Sequence, residues 1–357
     1  MLTSEQQSIT RILTQAIQYR ASDVHLVPGN PPVLRVDGKL MQLDQEMIIS
    51  ADLLKSYIES ILNPEQLKIL EQDRDLRTTI ALEGKLRFRL IAIYQKGGLS
   101  LDMRYIPEVI PTIAELGLPK EVENFAQAPH GLILVSGPFG SGRTTTLAAM
   151  LNLINQERVC HIITIEKPIE YLLAGQKSII EQREVGVDVK NIEHALSLIE
   201  SEDVDVVAVS ELENDSDIQA CVKILHSGRL ILATLTADSS TQALERLVNA
   251  FPAESQSTVS KNISDAIQGI INLRLVPRIG GGRVLVSEIF SPTSASRAVI
   301  RDRQFMQLAN TIQTSRVEGM ISLDRSLAEM VRVGDVKIED AEAVSIDPQN
   351  LRQMINR

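Results

Sequence analysis

Tryptophan is missing from this chain, and aromatic residues make up only 3% of its 357 positions, so its cores must be aliphatic. Cysteine is nearly missing too. Cys160 and Cys221 both lie in apolar stretches, which excludes a disulfide framework and suits buried thiols in a reducing, cytoplasmic compartment. No apolar run approaches the roughly 18 residues that a membrane span needs. The opening MLTSEQQSITRIL has neither the basic nor the apolar region of a signal peptide, so neither a signal nor a span is expected. Positive charge is in deficit: a net charge of −10 argues against a broad nucleic-acid footprint, and nucleic acid is not expected as a partner. Low-complexity tracts, fixed-period repeats, heptads and Cys/His clusters of zinc spacing are absent as well, and His25 reads as structural rather than as a ligand.

What is present changes character along the chain. Residues 4–20 place Ile9, Ile12, Leu13, Ala16 and Ile17 at helical spacing, with Ser4 and Gln7 as a capping box. The β-rich runs DVHLV and PVLRVDGKLMQL follow, turned at Asp37-Gly38. Two helices are expected near 51–62 and 64–72, the second capped by Asn63 with Pro64 in its first turn. Three alternating segments come next, with turns at Glu83-Gly84 and Gly97-Gly98. Residues 1–106 thus read as one mixed α+β domain, and 107–130, with its prolines, as a linker.

Beyond the linker the pattern becomes strand–helix alternation. GLILVSG, HIITIE, DVDVVAVSE and RLILATL are short, near-continuous apolar runs, as expected of strands buried on both faces of a largely parallel sheet. Helical segments at 144–156, 191–200, 215–227 and 239–250 separate most of them. A hairpin-like pair turns around Gly280-Gly281-Gly282. This second domain, an α/β one, reads as 131–345, with 346–357 a loose tail or short terminal helix.

One motif carries chemistry by itself. Gly137-Pro138-Phe139-Gly140-Ser141-Gly142-Arg143-Thr144 follows the strand GLILVS and precedes the helix TTTLAAMLNLIN. Glycines let backbone N–H groups turn inward around a phosphate, the helix N-terminus adds partial positive charge, and Thr144 offers a hydroxyl to Mg²⁺. Gly137, Gly140, Ser141, Gly142, Arg143, Thr144 and Thr145 are the expected nucleotide-binding residues, with ATP and Mg²⁺ as cofactors. The usual lysine of such a loop is Arg143, whose planar head is bulkier than an ammonium and need not fill the same slot.

Several short stretches in order resemble the hexameric secretion and type IV pilus motor ATPases, most closely the PilT-like retraction branch. ASDVHLVPGNPPVLRVDGKL resembles the branch's N-terminal signature, GPFGSGRTTTLAAM its Walker A, TIEKPIEY its Asp box, EDVDVVAVSE its Walker B and SGRLILATLTADSS its His box. The resemblance implies a PAS-like N-terminal domain before a RecA-like P-loop motor domain. It further implies six subunits, of this chain or a paralogue, in a ring at the cytoplasmic face of the inner membrane, acting through a platform protein on the pilus. It makes Glu211 and Glu166 the catalytic carboxylates, Asp205 a supporting Walker B acid, and Arg87, Arg89 and Arg104 arginines that approach a neighbour's phosphates. Arginines on the polar face of alternating strands are the plainer reading of Arg87 and Arg89.

The same motifs are altered in places. Lys167 stands where the Asp box has a second acid, and a reversed unit charge about 5 Å from the phosphate is worth roughly 3 kcal/mol at an effective dielectric near 20; a solvent-facing lysine is the alternative. Around Glu211 the pattern commonly has glycine before and Met-Arg-Asp after, where this chain has Ser210 and Leu212-Glu213-Asn214. The two His-box histidines are Arg229 and Thr236, and Thr236 cannot titrate. Three readings follow: an accessory or regulatory ring subunit with weakened or lost hydrolysis, an active ATP-hydrolysing retraction motor, and a nucleotide-independent scaffold.

Overall fold

The computed structural model describes residues 4–82, 86–314 and 319–356, with side chains from Gln7 onward. The Ser4 cap and the Glu83-Gly84 turn therefore lie outside what is described. The chain forms two compact units, one of residues 1–109 with 168–172, the other of 110–167 with 173–357.

In the first unit, α1 (Ser4–Gln18), β1 (Asp23–Leu26), β2 (Val33–Val36), β3 (Lys39–Gln42), α2 (Ala51–Ile61), α3 (Pro64–Asp73), β4 (Asp75–Leu82), β5 (Leu86–Gln95) and β6 (Gly98–Ile106) follow in order. The six described strands form an antiparallel sheet ordered β3-β2-β1-β6-β5-β4. Asp37 (φ 51°) and Gly38 (φ 84°) make the β2–β3 turn with both residues left-handed, the geometry that matches strand twist. Asn63 closes a full capping box with Gln66 at the start of α3. Ile9, Ile12 and Leu13 of α1 join Leu54 and Ile58 of α2 and Phe88, Leu90 and Leu101 of the sheet in one aliphatic core. His25 is structural there, its Nδ1 lying 2.6 Å from Asp102.

The second unit runs α4 (Glu121–Ala126), β7 (Gly131–Ser136), α5 (Arg143–Glu157), β8 (His161–Glu166), β9 (Ile179–Glu184), α6 (Ile192–Ile199), β10 (Val206–Val209), α7 (Asp215–Lys223), β11 (Leu230–Leu235), α8 (Ser240–Asn249) and α9 (Gln256–Ala266). It continues with β12 (Ile267–Pro277), β13 (Arg283–Phe290), α10 (Ser294–Arg301), α11 (Phe305–Thr314), α12 (Leu323–Arg332), α13 (Ile338–Glu342) and α14 (Pro348–Ile355). Its seven described strands are ordered β13-β12-β7-β11-β10-β8-β9, parallel except for the β12–β13 hairpin. Every residue of β7, β10 and β11 is buried. Alternate side chains feed two cores: Leu132, Leu134, Val207 and Ile231 face α6 to α9, while Ile133, Val135, Val206 and Leu232 face α4 and α5. Among the described residues no helix is long and apolar enough to cross a membrane.

Two features differ from the sequence reading. Residues 110–130 are no free linker: Ile113, Leu118, Val122 and Phe125 are buried in the core beneath α5. The ending takes the second of its two expected forms, a short terminal helix. The Asp324 carboxylate accepts from Ser345 Oγ and from the backbone N–H groups of Ile346 and Asp347, and α14 then buries Leu351 against α12. An edge strand, β9, was also unforeseen, because IIEQRE presents mixed polarity rather than an apolar run.

Gly269 of β12 shows how tightly α4 is set. A Cβ there would lie 2.5 Å from the Phe125 ring. Gly269→Ala should cost about 1–3 kcal/mol by overpacking, and Phe125→Leu in the same chain should recover part of it; denaturant unfolding measures both.

Candidate functional site

Parallel strands leave their carboxyl ends along one edge of the sheet, where ligands gather in folds of this kind. Along that edge lie the loop 137–144 after β7, Glu166 at the end of β8, Glu211 beyond β10 and Thr236 beyond β11. Two residues expected with them lie at the opposite, amino edge. Asp205 precedes β10 and its carboxylate accepts from the His161 N–H (2.8 Å); Arg229 precedes β11 and donates to the carbonyls of Val204 (3.0 Å) and Glu202 (2.6 Å). A six-residue strand spans about 20 Å. Asp205 and Arg229 thus brace strand starts and cannot share a site with Thr236.

The loop is built for a small anion. Gly137 has φ 148°, and a Cβ on it would meet Ser141 Oγ at 2.4 Å and the Leu273 carbonyl at 2.6 Å, so only glycine fits. Gly142 (φ 99°) is the N-cap of α5 and leaves that helix's first turn without a side-chain cap. Ser141 Oγ is buried with no hydrogen-bond partner. Orphaned hydroxyl, open helix N-terminus and glycine backbone together are the donors a phosphate uses. Thr144 and Thr145 sit half-buried in the first turn of α5, and Phe139 is exposed at the loop tip.

Arg143 does not extend into this cradle. Its Nη1 donates to Glu211 Oε1 (2.6 Å) and to Thr236 Oγ1 (2.8 Å), while the Thr236 hydroxyl donates to the same Glu211 oxygen (2.9 Å). Three side chains, from the first turn of α5 and from beyond the ends of β10 and β11, therefore close a ring. Arg143 is buried to 9% exposure, and the Glu211 side chain to 27%. An Arg–carboxylate bond so placed is charge-assisted and among the strongest a side chain makes.

Lys167 is exposed, as in the solvent-facing alternative. Its Nζ bonds Glu213 Oε2 at 2.9 Å, and its backbone N–H donates to Ser210 Oγ at 3.1 Å. Its charge is matched by a neighbour rather than left beside a phosphate. Glu166 is buried, accepting from Thr164 Oγ1 (2.6 Å) and Gln182 Nε2 (2.9 Å).

In the first unit, the three arginines are engaged. Arg87 donates to the carbonyls of Ile169 (3.0 Å) and Glu170 (3.2 Å), Arg89 bonds the Glu170 carboxylate (2.8 Å), and Arg104 pairs with Asp23 (2.7 Å). Burial works against the Asp23 carboxylate, but Arg104 and the Ser22 hydroxyl outweigh it and hold its pKa below the ordinary value.

Sequence reading missed Asn272. It is wholly buried in β12, IQGIINLRLVP, and a polar side chain set between Ile270-Ile271 and Leu273 was the available signal.

Thr236→Val keeps the side-chain shape and deletes the hydroxyl that closes the ring. Stability should fall by roughly 0.5–1.5 kcal/mol, read from denaturant midpoints at unchanged slope.

Comparison with known proteins adds three findings. Residues 3–282 match the family described as type II/IV secretion system protein. The chain is 35% identical over 342 residues to the type IV pilus retractation ATPase PilT of Pseudomonas aeruginosa (96% of this chain, 99% of the relative) and 32% identical over 346 residues to the type IV pilus ATPase PilU of that organism (97% and 90%). A crystal structure of the pilus retraction motor PilT with bound ADP superposes with a TM-score of 0.83 at 36% identity, covering 97% of this chain and 99% of that one. The shared architecture is an N-terminal domain followed by a RecA-like motor domain.

Proposed function

From the premise that the chain belongs to the type II/IV secretion system protein family, we propose that it is a PilT-like motor subunit that binds ATP with Mg²⁺ and hydrolyses it slowly. It serves as an accessory or regulatory component of pilus retraction and twitching motility. It works in a hexameric ring, with copies of itself or a paralogue, at the cytoplasmic face of the inner membrane against a platform protein.

The loop supports nucleotide binding. Ser141 Oγ and the backbone N–H groups of Gly140, Gly142, Arg143 and Thr144 would hold the phosphates, and Thr144 Oγ1 would ligate Mg²⁺. Bound MgATP supplies the phosphoryl group whose transfer to water does the work. Glu211 would orient that water, and Glu166 stands at the same edge as a second carboxylate.

One observation carries the slow hydrolysis: the ring of Arg143, Thr236 and Glu211. A carboxylate that orients water must be turned toward it, and Glu211 is held in place through Oε1, which accepts from both a guanidinium and a hydroxyl, while Oε2 has only a 3.5 Å contact from Thr234 Oγ1. To reach a phosphate, Arg143 must give up that bond. Binding therefore competes with an internal ion pair, and each 1.4 kcal/mol of that competition is a tenfold loss.

A second reading, the active motor, draws on two observations. Lys167 is neutralised by Glu213, at positions where the family pattern has an acid and an arginine, and Arg229 lies at the other end of its strand. Two of the four departures thus bring no unmatched charge to the phosphates.

Steady-state hydrolysis by the purified protein separates the readings. Wild type should turn over at least tenfold more slowly than the enzyme median of about 10 s⁻¹. Arg143→Lys should raise the rate about tenfold or more, and adding Glu211→Gln should remove the gain. Brisk wild-type turnover would favour the active motor, and an Arg143→Lys rate no higher than wild type would sink the ion-pair account.

A further inference from the structure

Asn272 lies level with the sheet's carboxyl edge, on β12, paired in register with Ser136 of the adjacent parallel strand β7. Its Nδ2 donates to Ser136 Oγ (2.8 Å) and to the Ala237 carbonyl (2.9 Å), and its Oδ1 accepts from Arg274 Nη1 (3.0 Å). A carbonyl on one side and a guanidinium on the other fix which way the amide faces. Three of its four hydrogen-bonding capacities are used, and none of the side chain is exposed.

Both ends of this amide lead into the site. Ser136 directly precedes Gly137, the glycine wedged against the Leu273 carbonyl, and Ala237 directly follows Thr236. The segment 236–240 is held by further side chains: Arg246 donates to the Thr236 carbonyl, Arg274 to the Asp238 carbonyl (2.6 Å), and the buried Glu288 accepts from the Ser240 N–H (2.8 Å). Of these four anchors, Asn272 is the one that also grips the strand carrying the phosphate loop.

We infer that Asn272 is a positioning residue that transmits phosphate-loop occupancy to the backbone of residues 237–240 and so to Thr236 and Glu211; this rests on the nucleotide-binding reading above. A phosphate that stiffens residues 137–144 stiffens their root at Ser136. The amide carries that restraint across β7 to Ala237. A second route exists through the Arg143 and Thr236 side chains, and the two can be cut separately.

The test is hydrogen–deuterium exchange of the full chain with and without ADP. In wild type, ADP should slow exchange in both 137–144 and 237–240, by about tenfold or more. Thr236→Val, which cuts the side-chain route, should keep the slowing at 237–240. Asn272→Leu should keep it at 137–144 and reduce it at 237–240 below about threefold, whereas a merely destabilising change would raise exchange throughout. Ser136→Ala, which cuts one arm of the amide and leaves the core filled, should give the same selective loss if Asn272→Leu does not fold. Undiminished slowing at 237–240 in a variant that binds ADP would overturn the inference alone. Failure of wild type to bind ADP would overturn the functional reading, and this inference with it.

Discussion

A guanidinium and a carboxylate 2.6 Å apart at the carboxyl edge of the parallel sheet set the terms for the rest of this site. The pair brings together the first turn of α5 and the end of β10, and a hydroxyl from the end of β11 completes it. Such a pair is self-sufficient. Its charges cancel, and Arg143 Nη1 and Glu211 Oε1 each make two hydrogen bonds within the ring. A lysine ammonium is a compact point charge on a flexible stem and moves between partners readily, whereas a guanidinium fork, once matched to a carboxylate, gives up more geometry when it leaves.

The altered motif positions consequently behave as sets rather than as isolated losses. Arg143 and Thr236 meet each other as well as Glu211, and Lys167 meets Glu213 while its backbone uses the hydroxyl of Ser210. A larger head at 143 and a small hydroxyl at 236 fit one another. The phosphate cradle beside them keeps its glycines and an unengaged Ser141 hydroxyl. The unengaged hydroxyl and the closed ring thus lie side by side at one edge of the sheet.

Much of this was legible in the sequence for physical reasons. Continuous apolar runs announced strands buried on both faces, Asp37-Gly38 announced a hairpin turn, and Asn63 with Pro64 announced a helix start. Other features were not legible because they depend on which end of an element a residue occupies. Asp205 and Glu211 are neighbours in a motif but lie at opposite ends of β10, and Arg229 and Thr236 are separated in the same way by β11. Polar partners across strands, such as Lys167 with Glu213 or Asn272 with Ala237, carry no periodic signature at all. The docking of 110–130 escaped notice because it buries only a few apolar residues, too few to set a pattern.

The exposed phenyl ring of Phe139 at the tip of the phosphate loop has an optical consequence. Without a single indole, the chain's ultraviolet emission comes from five tyrosines. One tryptophan placed at that tip would therefore be the whole of the long-wavelength signal, and would report on the loop's surroundings with no background to subtract.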